Sequence, residues 1–141
     1  MKVSFKKVVI WVVVVVVAAV VLIQPGSQRG KYIYQVETIN GICNFDYLPQ
    51  DQQQDVRVVR NSIVVTMPIQ TPTPCYDVEG TVNSVGSDIV VNLQTKQRGE
   101  TCAECLGIVV ARVTISNLEK DTYSVQINTP DKSIITTAKV E

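Results

Sequence analysis

Apolar and polar residues alternate with a period of two through most of the chain beyond residue 31. Ile63, Val65 and Met67 alternate with Val64 and Thr66, and Tyr76, Val78, Gly80 and Val82 with Asp77, Glu79, Thr81 and Asn83. Ile89, Val91 and Leu93 alternate with Val90, Asn92 and Gln94, and Tyr123, Val125 and Ile127 with Ser124, Gln126 and Asn128. Val109, Ala111, Val113 and Ile115 share one face, leaving Arg112 and Thr114 on the other. This is the period of a strand with one face in a core and one in water. Turn chemistry falls between the runs: Asn61-Ser62, 84–88 around Gly86, 117–121 and 128–132. Adding 32–39, 56–60 and 133–140, the pattern predicts about eight short strands, and no segment after Pro25 carries a helical stripe. The expected architecture is an all-β antiparallel sandwich of seven to eight strands. Its core is expected to hold Val78, Val82, Ile89, Val91, Leu93, Val109, Val113, Tyr123 and Val125. The Gln-rich patch 50–54 reads as a solvated loop, and no internal repeat is present.

The N-terminus follows a different rule. Lys2, Lys6 and Lys7 precede an uncharged apolar run over 8–23, which ends at Gln24-Pro25-Gly26. The run is slightly short of the roughly 20 residues that span a bilayer, with Phe5 and Trp11 extending it at one end. A removed signal peptide has the same layout but needs small residues before the cut. Here the run closes on Val20-Val21-Leu22-Ile23 instead. Residues 1–23 are therefore expected to be an uncleaved signal anchor, a single transmembrane helix placing 8–23 in the membrane. Residues 24–31 then form a short linker, and 32–141 one extracytoplasmic domain. The lysines orient the N-terminus to the cytoplasm.

Charge and cysteine content narrow the chemistry. The chain has 13 basic and 13 acidic residues, but all 13 acidic ones lie after Lys31, against eight basic ones. The outer domain thus carries a formal 8 − 13 = −5. That argues against nucleic acid, which requires a clustered positive face. There is no histidine, which removes the commonest general base and metal ligand, and with them the usual serine and cysteine triads. Asp77 and Glu79 sit two apart on an open strand face, which supplies too few ligands to hold a cation tightly. No catalytic residue, metal or cofactor is assigned.

Four cysteines lie in the outer domain: Cys43, Cys75, Cys102 and Cys105. The C-x-x-C of Cys102 and Cys105 runs into an apolar strand, so it has no helix N-terminus to activate a thiol, and Glu100 and Glu104 work against a thiolate. A Cys₄ zinc site usually draws on two closely spaced pairs, whereas this chain has one pair and two single cysteines. Outside the membrane the pattern favours two structural disulfides. Of three possible connectivities, the two that join Cys43 and Cys75 each to one member of the C-x-x-C are preferred, with no choice made between them. A local Cys102–Cys105 bridge is the alternative.

Before Cys75 the chain carries Pro68, Pro72 and Pro74. Prolines fix φ and remove donors, so Gln70, Thr71, Pro72, Thr73 and Pro74 are expected to form a stiff, extended, exposed loop, a candidate partner-binding surface. The pairing of T-P-T-P-C-Y (71–76) with C-A-E-C-L-G (102–107) resembles small archaeal-type extracytoplasmic β-sandwich domains. That resemblance covers about residues 63–127. It implies an immunoglobulin-like fold and an outside location, and brings no activity and no catalytic residues.

Together these readings lead to a non-enzymatic cell-surface protein: a membrane-anchored, disulfide-stapled sandwich that binds a protein partner or serves a structural role. Two alternatives are an inhibitor of an extracellular protease acting through 70–74, and a subunit of a surface filament. The first would work as chagasin-like inhibitors do, though this chain lacks their N-P-T-T-G-Y signature.

Overall fold

The computed structural model describes residues 32–43, 48–99 and 101–141. The transmembrane and linker expectations for 1–23 and 24–31 lie outside the described residues. Among those described, no helix is long and apolar enough to cross a membrane.

Eight strands follow one another: β1 (Ile33–Ile42), β2 (Asp55–Val59), β3 (Ser62–Thr71), β4 (Tyr76–Val85), β5 (Asp88–Gln97), β6 (Gly107–Ser116), β7 (Asp121–Asn128) and β8 (Ser133–Val140). They build two four-stranded sheets, ordered β1-β6-β3-β2 and β4-β5-β7-β8. The inward rows meet as one core. Val65, Val91, Val109, Val113 and Val125 are fully buried in it, and the remaining expected core residues, Val78, Val82, Ile89, Leu93 and Tyr123, are all buried as well.

The strand order departs from expectation in one respect. Every pair is antiparallel except β5 and β7, which run parallel, with Ile89 opposite Val125 and Val91 opposite Ile127. After β5 the chain crosses to the first sheet as β6 and returns beside β5 as β7, so the direction repeats. The two sheets therefore lack the ABED and CFG arrangement that immunoglobulin domains share. The β2–β3 turn is also shifted by one residue. Val59 pairs with Ser62, leaving Arg60 and Asn61 as the loop, with Arg60 at φ 57°. Ser62 belongs to the ladder, where its hydroxyl donates to Ser116 Oγ at 3.1 Å.

β3 continues beyond the expected stop at Met67, to Thr71. Pro68 is tolerated because β2 covers β3 only as far as Thr66, so among the described residues β3 has no strand partner on that side from there on. A residue without an N–H belongs at such an edge. β1 closes the other flank, over the edge of β4. Val78 N–H donates to Thr38 Oγ1 at 2.8 Å, and the Tyr32 hydroxyl donates to the Val82 carbonyl at 2.9 Å. These side chains occupy backbone groups that would otherwise offer an edge to a foreign strand.

β6 is central in its sheet and buried on both faces over its first half: Val109 and Ala111 point inward, while Ile108 and Val110 are equally withdrawn on the outward side. The 3₁₀ turn Gln50–Gln52 packs against β3 on that outer side. Asp51 lies 3.9 Å from Arg112 of β6. The glutamines themselves stay largely exposed, in keeping with a solvated segment.

Candidate functional site

Three connections meet at one end of the sandwich, here called the tip: the close of β1 at 41–43, the β3–β4 connection at 72–75 and the β5–β6 connection at 98–106. The opposite end, the base, holds residue 32, the turns at 60–61, 86–87 and 117–120, and the C-terminal residues 140–141. Ten-residue strands separate the two by about 33 Å.

All four cysteines are at the tip and all are bridged. Cys43 pairs with Cys105 (Cα–Cα 5.7 Å) and Cys75 with Cys102 (Cα–Cα 5.9 Å). The C-x-x-C therefore splits its two sulfurs between the end of β1 and the start of β4, which is one of the two connectivities left open above. No thiolate remains among the four to attack a disulfide or hold zinc.

The Pro-rich connection differs from the exposed loop expected over Gln70, Thr71, Pro72, Thr73 and Pro74. Gln70 and Thr71 are the last two residues of β3, and Thr71 is buried. Thr71 Oγ1 donates to the Thr73 carbonyl at 2.7 Å, turning the chain sharply. Pro72 is exposed, whereas Thr73 and Pro74 are half-buried. The reason lies beneath them. A Cβ on Gly107 would collide with the Thr73–Pro74 peptide, and one on Gly41 with the Pro74 carbonyl. The connection is thus pressed between two strands that each supply a residue with no side chain.

This seat is tested by Gly107→Ala. Because the obstacle is backbone held by a disulfide one residue later, the added methyl has to displace the connection. Overpacking of this kind costs about 1–3 kcal/mol. Thermal unfolding should show a lower midpoint, and an unchanged midpoint would mean that the connection moves freely.

Electrostatics locks the neighbouring segment. Arg98 N–H donates to the Cys75 carbonyl at 2.9 Å, Arg98 Nε meets Asp77 Oδ1 at 2.7 Å, and Nη2 reaches the Tyr76 carbonyl at 3.4 Å. Lys96 pairs with Glu79 at 3.1 Å across the same two strands. Both carboxylates of the Asp77/Glu79 pair thus face a cation side chain, which argues against a metal role for them. Exposed pairs of this kind contribute little stability, typically below about 1 kcal/mol. Their effect is on position, since Arg98 ties the end of β5 to the start of β4.

What the tip offers to solvent is small and weakly charged. Pro72, Thr101, Ala103, Glu104 and Leu106 are exposed, Leu106 at 67%. Among the described residues, no group of histidine, cysteine, aspartate and glutamate side chains could hold a metal ion. Sequence reasoning singled out the prolines and missed Ala103 and Leu106. The available signal was a leucine between a cysteine and a glycine, where a strand's apolar run has not yet begun.

The chain has no match among family models, curated proteins or solved structures.

Proposed function

We propose that the protein is a membrane-anchored, non-enzymatic display module. Residues 8–23 hold it in the membrane, and the stapled tip of the extracytoplasmic domain binds a protein partner. One observation carries this reading: both disulfides and the seated Pro72–Pro74 connection converge on the end opposite the one where the chain comes in. Rigid, pre-ordered segments lose little entropy when they bind, which suits such a tip to recognition. Its exposed Pro72, Ala103 and Leu106 suit an apolar protein surface better than an ion or a polyanion.

The inhibitor reading needs a loop that projects into a protease cleft. Here Thr71 is buried and Thr73 and Pro74 are half-buried, so Pro72 alone protrudes from the connection. That geometry favours a flat contact over a plug.

The test is position-specific photo-cross-linking in native membranes with the full chain. A photoreactive residue at Leu106 should capture a defined partner, and the same residue at Ile135, equally exposed on the second sheet, should not. Leu106→Glu should abolish co-purification of that partner. Equal capture at both positions would defeat the tip assignment, and capture of a second copy of the chain from Ile135 would favour the filament.

A further inference from the structure

We infer that the base of the sandwich rests on the bilayer surface as an apolar contact, a step that depends on the anchored reading above. Six large hydrophobic residues are exposed among those described: Ile33, Tyr34, Val59, Val85, Leu106 and Ile135. Four of the six belong to the base. Ile33 and Tyr34 open β1, Val59 is the last residue of β2, and Val85 closes β4 at a hairpin tip where it is 81% exposed. A scattered set would spread over both ends and both faces. This set collects where the chain comes in.

The chain preceding residue 32 says what covers it. The apolar run ends at Ile23, and eight residues, 24–31, connect it to Tyr32. Fully extended they reach at most about 28 Å, and as a flexible coil about 16 Å. The tether is therefore short enough to let the base reach the membrane surface, while the tip lies about 33 Å away at the other end of the domain. The chemistry at the base matches an interface. Tyr34 is exposed, with its ring centroid 6.5 Å from that of Tyr32, whose own hydroxyl is held by the Val82 carbonyl, and tyrosine favours the zone where one end of a ring is apolar and the other wet. Charge does not drive the contact. Arg60, Lys120 and Lys139 are offset by Asp88, Glu119, Asp121 and Glu141, giving a formal 3 − 4 = −1. The occupant is accordingly the interfacial region of a bilayer, without a requirement for anionic lipid.

The experiment uses the full chain in phosphatidylcholine vesicles whose acyl chains are brominated close to the headgroup. Trp11 is the only native tryptophan, so Trp11→Phe gives a dark background. Val85→Trp and Ile33→Trp then report on the base, Leu106→Trp on the tip and Ile135→Trp on the outer face of the second sheet. All four positions are exposed, so the probe's own affinity for interfaces is shared, and the fold of each variant is checked by circular dichroism. Quenching at both base positions should exceed that at Leu106 and Ile135 by roughly twofold or more, with a blue-shifted emission. Equal quenching at base and tip overturns the inference, as does strongest quenching at Ile135, which would mean a domain lying on its flank. Flotation separates the base contact from the anchor. Chain that floats with vesicles after alkaline wash but shows no base preference defeats this inference alone, and chain that fails to float defeats the anchor as well.

Discussion

Val113→Asp should abolish folding. Val113 is fully buried in β6, the strand that lies between β1 and β3, and it stands opposite Val36 on one side and Val65 on the other. An aspartate there has no cation within the core to pair with, since the inward neighbours are all apolar. Burying an unpaired carboxylate costs several kcal/mol even after partial relaxation, and the lost valine contacts add to that. Small domains have only about 5–15 kcal/mol in total. The variant should therefore lack the β-type circular dichroism of the parent and show no cooperative unfolding. A soluble, cooperatively melting Val113→Asp protein would show that the odd-numbered face of β6 points to water.

The second large effect is expected from the staples. Under the chain-entropy model, closing the 27-residue separation between Cys75 and Cys102 contributes roughly 3.5 kcal/mol. The 62-residue separation between Cys43 and Cys105 contributes slightly above about 4 kcal/mol on the same basis. The two loops overlap, so the contributions will not add fully. Cys75→Ser with Cys102→Ser should lower stability by about 2–5 kcal/mol in denaturant unfolding. The m-value should rise, because a less constrained unfolded chain exposes more surface. Thiol titration of the denatured, unreduced parent should find no free thiol. Four free thiols with one bound zinc would overturn the bridges and restore the metal site.

Much of the fold was legible because its strands are half-buried. Tyr123, Val125 and Ile127 alternate with Ser124, Gln126 and Asn128, and that alternation alone places β7 and its buried face. Where the local rule was strong but the tertiary setting different, expectation and structure diverged. Pro68 signals a strand end, yet β3 runs through it because β2 stops short at Thr66, leaving that edge without a strand partner among the described residues. Ile108 and Val110 carry no alternation with their neighbours. They lie on the outward face of a strand flanked on both sides, by β1 and β3, so their burial follows from β6's central place and not from the local pattern. The parallel β5–β7 pair left no local trace, since strand direction follows from which sheet β6 joins, and the second row of Thr114 and Arg112 is silent on that. At the candidate site, the cysteine spacing conveyed the staple and the prolines conveyed stiffness. The seat on Gly41 and Gly107 was not readable, because those glycines lie 33 residues before and 33 residues after the Pro74 they accommodate.

The pairing of β1 with β6 has a consequence for how the chain is made. Val36 meets Val113, so the first strand to leave the ribosome has no partner until almost the whole chain has followed it. The hairpins β2–β3 and β4–β5 can close as they emerge, but the sheet holding β1 waits for β6 to arrive between β1 and β3. Oxidation faces the same queue. Cys75 emerges before either member of the C-x-x-C, so the first partner within reach of Cys43 is one it must not keep. Correct maturation thus depends on late segments, and a chain cut off before residue 105 would have neither its central strand nor its full set of bonds.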